Sequence, residues 1–210
     1  MHDSSYEKMR LFRDRYLGTN GPNMTVCEVG SRDVNGVYRP LFSHERFKYF
    51  GIDIIEGRNV DIVLGNPYDW KEVGDSSVDV IVSGSTFEHI KAFWLTILEI
   101  ERVLKPNGYG CIIAPANGPL HRHPTDCWRY YPDGLDFMVR YARMTPLEVS
   151  TDFEGVEWWD SFVAFQKPLY TDKTAMKLRS NLIRFASFLS GTEDPNVIVK
   201  ELQTRFMQKM

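Results

Sequence analysis

The chain has 210 residues, 43% of them hydrophobic and 25% charged, with a formal net charge of −3. That balance fits one folded globular domain with room for an appendage, and it argues against a disordered chain or a general nucleic-acid binder. No run of about 18 apolar residues offers a membrane span, no N-terminal stretch reads as a signal peptide, and three cysteines (Cys27, Cys111, Cys127) without a CxxC pair read as reduced thiols, so a cytoplasmic location is expected.

Residues 4–17 carry Tyr6, Met9, Leu11, Phe12 and Tyr16 at helical spacing behind a polar cap at Ser4 or Ser5. Residues 25–29, TVCEV, read as a first strand that runs into Gly30 and a polar loop, SRDVNG. A short helix is expected within 36–43, limited by Pro40. Residues 47–55 give a second strand ending near Asp53, residues 61–64 a third, and residues 78–83, VDVIVS, a fourth. A helical stripe over 93–104 stops at KPNG, a proline–glycine turn, and YGCIIA at 109–114 is the fifth strand.

After an irregular stretch, 115–134, come a helix at about 134–143 and two last strands at 147–150 and 161–166. Apolar strands separated by helices predict an α/β fold, a doubly wound and mostly parallel sheet. The link 151–160 is too short and polar for a crossover helix, so the last strand is expected to be antiparallel. The domain is expected to span 1–170. Residues 171–210 are expected to form a helical hairpin, with seven Lys/Arg against four Asp/Glu. Its apolar stripes suit a lid or a homodimer face.

In such a sheet the strand ends converge on one crevice, here with Glu28 and Gly30, Asp53, Gly65 and Asn66, Ser83 and Gly84, and Pro115. An acid after the second strand is placed to accept from ribose hydroxyls. Asn66 offers a carbonyl to an adenine amine. Each is also an ordinary turn residue, and their coincidence at successive strand ends is what carries the reading.

The segments EVGSRDVNGVYRPLF, GIDIIEGRNVDIVLGNPYDW, VDVIVSGSTFEHI, ERVLKPNGYGCIIAP and HRHPTDCWRYYPDG, over about 25–135, resemble class I S-adenosylmethionine-dependent methyltransferases. More narrowly, they resemble a bacterial group found with polysaccharide-modifying enzymes. The resemblance implies a Rossmann-like seven-stranded fold and S-adenosyl-L-methionine as cofactor. It implies that Glu28, Gly30, Ser31 and Arg32 face the methionine part, that Asp53 holds the ribose and that Ile54 and Asn66 flank the adenine. It places FEHI, with His89, beside the cofactor sulfur. The loop departs from ExGxGxG, since Arg32 and Val34 stand at the later glycine places. The dinucleotide pattern GxGxxG is also absent, which disfavours a nicotinamide enzyme.

In that topology the loop 115–134 lies over the reacting methyl group. Methyl transfer to a hydroxyl needs positioning and a base, and His121, His123 or His89 suits the second task. Asp126 either orients a histidine or binds an acceptor hydroxyl. Arg129 either clamps an acidic group or pairs with Asp126. Trp128, Tyr130 and Tyr131 form an apolar wall for the acceptor or anchor the loop. His-x-His with a nearby Asp also has the look of a metal site, but such sites need three converging ligands, and no metal is expected.

The expected function is methyl transfer from S-adenosyl-L-methionine to a hydroxyl of a sugar, glycan precursor or small polar metabolite. The alternative is a non-catalytic cofactor-binding or assembly protein. No nucleic-acid partner is expected, because the domain has no basic stripe.

Overall fold

In chain order the elements are α1 (Asp3–Phe12), β1 (Met24–Val29), β2 (Phe47–Asp53), β3 (Ile62–Val63), β4 (Val78–Gly84), α2 (Phe93–Val103), β5 (Leu104–Asn117), α3 (Pro132–Tyr141), β6 (Thr145–Thr151) and β7 (Trp159–Gln166). They are drawn from a computed structural model that describes residues 3–18, 20–153 and 158–169. The helical hairpin expected at 171–210 lies outside the described residues. Among the described residues no helix is long and apolar enough to cross a membrane.

One seven-stranded sheet holds the domain together, in the order β3-β2-β1-β4-β5-β7-β6. The pairs β2/β3, β1/β2, β1/β4 and β4/β5 are parallel, and β7 is antiparallel to both β5 and β6. The order in which strands are added reverses between the parallel central strands β1 and β4, so the ends of β1, β2 and β4 open on the crevice where ligands bind in such sheets.

Strand alternation explains the two buried faces. Val80, Val82, Cys111, Ile113, Phe162 and Ala164 gather on one side with Met9, Phe12, Leu17, Leu41 and Phe42. Their neighbours Ile81, Ile112 and Val163 are equally buried and face the other side, where α2 packs on β5 and α3 on β6 and β7.

Helical cover is thinner than the alternating pattern predicts. The β1–β2 connection holds only a 3-10 turn, Arg39–Phe42, with Pro40 at its start. Neither the β2–β3 nor the β3–β4 connection contains a helix. These links are rich in Gly, Asn, Asp and Pro, which favour turns. The N-terminal α1 covers the sheet instead, packing on β5 and β7.

The KPNG turn survives as a bulge rather than a break. Leu104 already pairs with Val78, residues 105–108 loop out, and Tyr109 pairs with Val80. Asn107, at φ 63, takes the left-handed conformation that Asn tolerates. Its N–H donates to the Lys167 carbonyl at 2.8 Å. Lys167 itself is buried, and its Nζ donates to the carbonyls of Glu101 (2.6 Å) and Leu104 (2.8 Å) at the end of α2. A cation at a helix C-terminus satisfies carbonyls that the helix leaves unpaired.

Candidate active site

At the end of β1 the chain turns through Gly30, with φ +72, a conformation that glycine adopts without steric cost. The N–H groups of Gly30 and Ser31 both donate to the Ile52 carbonyl, at 2.9 and 3.1 Å, which pins the loop to β2. The Arg32 N–H donates to Asp53 Oδ2 at 3.1 Å and the Ile55 N–H to Asp53 Oδ1 at 3.0 Å. Each carboxylate oxygen has capacity for a second donor, so Asp53 is oriented without being saturated. Beside it Ile54 is 50% exposed. Asn66 Oδ1 accepts from the Tyr68 N–H at 2.8 Å, closing a local turn.

Glu28 is buried, and its Oε2 accepts from Asn59 Nδ2 at 3.0 Å. The same amide nitrogen donates to the Ser31 carbonyl at 2.8 Å, and Arg39 Nε donates to Asn59 Oδ1 at 2.5 Å. Burial pushes the Glu28 carboxyl up to about 8, against the opposing pull of Asn59 and Arg39. The carboxyl therefore braces the loop from below through Asn59, a residue that sequence reasoning missed. A single Asn two residues after Gly57 offered no signal beyond a turn.

Ser83 is buried, and its hydroxyl donates to the Val29 carbonyl at 2.9 Å. A Cβ on Gly84 would stand 2.0 Å from the Tyr38 hydroxyl oxygen. Ser83 thus ties the end of β4 to β1, and Gly84 makes room for the Tyr38 side chain.

The 3-10 turn Phe87–His89 follows β4, and the loop after β5 is laced onto it. The N–H groups of Cys127 and Trp128 donate to the Glu88 carbonyl at 2.7 and 3.2 Å. Thr125 Oγ1 donates to the His89 carbonyl at 2.8 Å, Trp128 Nε1 to Ile90 at 2.9 Å and Tyr130 O–H to Phe87 at 3.1 Å. Within the loop, Arg129 grips Asp126 with both terminal nitrogens, at 2.6 and 2.9 Å, and donates to the carbonyls of Trp128 (2.9 Å) and Pro119 (2.9 Å). Its hydrogen bond and charge hold the Asp126 carboxyl well below the usual range.

The sequence left Arg129 open between clamping an acceptor and pairing with Asp126, and the structure closes the pair. Tyr130 is buried, Trp128 is edge-on to Phe93 and Trp94, and Tyr131 is 58% exposed. Trp158 underlies the loop: its ring meets the His121 ring at 4.8 Å between centroids.

Three imidazoles converge here. The rings of His89 and His121 are 5.0 Å apart, and His123 lies 5.8 and 6.0 Å from them. Glu88, only 1% exposed, faces His89 Nε2 at 3.5 Å and His121 Nε2 at 4.0 Å through Oε1. Burial pushes the Glu88 carboxyl up to about 8 and lowers His89. Thr86, two residues before Glu88, lies against Gly30, so the histidine cluster adjoins the loop after β1.

Residues 35–112 match the family model for a methyltransferase domain. That stretch is similar to methyltransferase domains, and S-adenosylmethionine-dependent methyltransferases recur among the solved structures that share the fold. The fold is shared with a Burkholderia thailandensis 1,6-didemethyltoxoflavin N1-methyltransferase solved with S-adenosylhomocysteine (14% identity, 80% of each chain, TM-score 0.63). It is shared with an Aquifex aeolicus SAM-dependent methyltransferase (21% identity, 79% of this chain and 98% of that one, TM-score 0.55). It is also shared with SpnF, a [4+2]-cyclase (13% identity, 79% and 82%, TM-score 0.62). No curated protein matches the sequence.

A methyltransferase domain implies S-adenosyl-L-methionine as cofactor, and the residues present fit it. The oriented Asp53 carboxylate and the half-exposed Ile54 suit a ribose and an adenine face. The Ser31 hydroxyl, in the loop after β1, is buried without a partner. Arg32 and Val34 stand where a glycine-rich phosphate loop would have its later glycines.

Proposed function

We propose that this methyltransferase acts on a hydroxyl of a sugar, glycan precursor or similarly small polar acceptor, with His123 as the base. The observation that carries the reading is the gathering of three imidazoles around Glu88, immediately beyond the loop that binds the cofactor in such domains. S-adenosyl-L-methionine, when bound, supplies an electrophilic methyl group. The chain's own residues do the rest. Asp53 holds the ribose and Gly30 with Ser31 borders the methionine end.

The His89 ring is tied to the Thr125 carbonyl at 2.5 Å; the main-chain N–H of His121 donates to Asp126 at 2.8 Å, and its half-buried ring packs edge-on against Trp158. His123 is exposed and free to take the acceptor's proton. A cavity of about 760 Å³ adjoins the loop, lined by Phe93, Trp94, Trp128, Tyr131 and Phe137 among others. Its size lies within the range of small-ligand sites, and aromatic faces suit the C–H face of a sugar ring.

Isothermal titration with S-adenosylhomocysteine, followed by a screen of sugar and nucleotide-sugar acceptors for methyl transfer, tests the reading. Binding together with turnover on a hydroxyl acceptor supports it. Binding with no transfer to any acceptor favours a cofactor-binding protein, and absence of binding at millimolar ligand overturns the cofactor assignment.

A further inference from the structure

We propose that Glu88, His89 and His121 form a binding site for one divalent transition-metal ion of the zinc type. One ligand atom from each residue lies within 4.8 Å of the others. Glu88 Oε1 stands 3.5 Å from His89 Nε2 and 4.0 Å from His121 Nε2. These separations are too long for direct hydrogen bonds. They are close to what an ion imposes, since zinc bonds of about 2.0–2.1 Å set tetrahedral ligands roughly 3.3–3.4 Å apart. Drawing the ring nitrogens inward by a small side-chain shift closes the set.

The outer partners point the same way. His89 Nδ1 lies 2.5 Å from the Thr125 carbonyl, which only accepts. The proton is therefore on Nδ1, and the Nε2 lone pair faces Glu88. His121 Nδ1 is buried without a hydrogen-bond partner, with Asp126 Oδ2 3.4 Å away, so the inward shift that closes the ligand set leaves this carboxylate as the acceptor at hand. A carbonyl behind one imidazole is the support that metal-bound histidines carry, and Asp126 stands where the second finds its own.

Glu88 Oε2 is buried with no hydrogen-bond partner, a cost that an ion bound by the carboxylate relieves. Two nitrogens and one oxygen leave a further position open, as catalytic zinc sites do. Resting on the methyl-transfer reading, that position takes the acceptor's oxygen, lowers its pKa and sends its proton to His123. Of the His-x-His and Asp that the sequence offered in this loop only His121 is a ligand; the other two, Glu88 and His89, come from the segment after β4.

The test uses the full chain, produced without a histidine tag, stripped with chelator and titrated with Co²⁺. Visible absorption and elemental analysis read the uptake. The expected result is one ion per chain with the intense bands of four- or five-coordinate cobalt, displaced by Zn²⁺. Uptake is lost in Glu88→Gln and in His121→Ala, and is weakened roughly 10–100-fold in Asp126→Asn. Circular dichroism melts without metal identify which variants fold, and the comparison is made on those. No stoichiometric uptake by the parent overturns the proposal, as does equal uptake by the parent and a folded ligand variant. Titration with S-adenosylhomocysteine runs alongside: a chain that takes cobalt but not this ligand keeps the metal site and loses the methyltransferase reading, and the opposite pattern does the reverse.

Discussion

Thr86 occupies the space that a side chain at position 30 would need: a Cβ on Gly30 would stand 2.2 Å from Thr86 Cγ2 and 2.3 Å from its Oγ1. The contact joins the loop after β1 to the segment after β4. Gly30→Ala is therefore penalised twice, by contact and by φ. Holding a non-glycine residue in a sparsely populated conformation costs about 1–3 kcal/mol, and a chain of this size loses roughly 2–4 °C of Tm per kcal/mol. Thermal melts should show Gly30→Ala falling by several degrees, and Thr86→Ala in the same chain should return the contact part of that loss only. Full recovery in the double variant would mean that the backbone at Gly30 is unstrained.

Glu28 predicts a pH dependence of stability. Its carboxyl is held up to about 8 in the fold, against 4.5 as its ordinary value. Between these limits the folded chain holds a proton that the unfolded chain has released. Stability is then greatest below the lower limit and is lost as pH rises toward the upper one, at about 1.4 kcal/mol per pH unit for a single group. Glu28→Gln keeps an acceptor for Asn59 and carries no titrating proton. Urea melts between about pH 5 and 8 should show the parent losing stability relative to Glu28→Gln. Parallel profiles would show that Glu28 ionises freely.

Arg129 is predicted to be replaceable by no other cation. One guanidinium reaches both oxygens of Asp126 and the carbonyls of Trp128 and Pro119. A lysine keeps the charge but not the planar fork. Arg129→Lys should loosen residues 118–129, read as faster amide exchange there, while binding of S-adenosylhomocysteine stays within about twofold. Turnover should fall roughly 10²-fold, the scale of a catalytic group displaced by about an ångström. Unchanged exchange in this loop would show that Asp126 and the backbone hold it alone.

Lys167 anchors the C-terminal end of α2. Its Nζ lies 3.4 Å from Glu101 Oε1 as well as bonding two carbonyls. Removing one partner of a buried pair costs about 3–5 kcal/mol. Lys167→Met should lower the urea midpoint accordingly, and adding Glu101→Gln should recover part of the loss. Additive effects in the double variant would refute the coupling.

How far the sequence foretells this molecule depends on the range of the interaction. Strand positions were legible because runs such as VDVIVS and YGCIIA are local and apolar on both faces. Asp53 and Gly30 were legible because a strand end carries them. The supports of the site were not, since each depends on a distant partner: Asn59 under Glu28, Tyr38 over Gly84, Trp158 beneath His121. Arg46 makes the same point. It is buried, with Nη1 on the carbonyls of Leu17, Gly18 and Asn20, and nothing in SHERF marks it as more than a surface charge. The sparse helical cover was hidden in another way, because links rich in turn residues long enough for a helix need not form one.

The loop over the candidate site is fastened to residues 87–90 mostly by way of their carbonyl oxygens, with the His89 ring on the Thr125 carbonyl as a side-chain tie. A main-chain oxygen is present whichever amino acid bears it. The segment therefore works as a fixed socket with an exchangeable side chain: Glu88 can be replaced during evolution or redesign while its carbonyl keeps the loop seated. New acceptor chemistry on this scaffold is then reachable by few substitutions, and Glu88 is the place to introduce them.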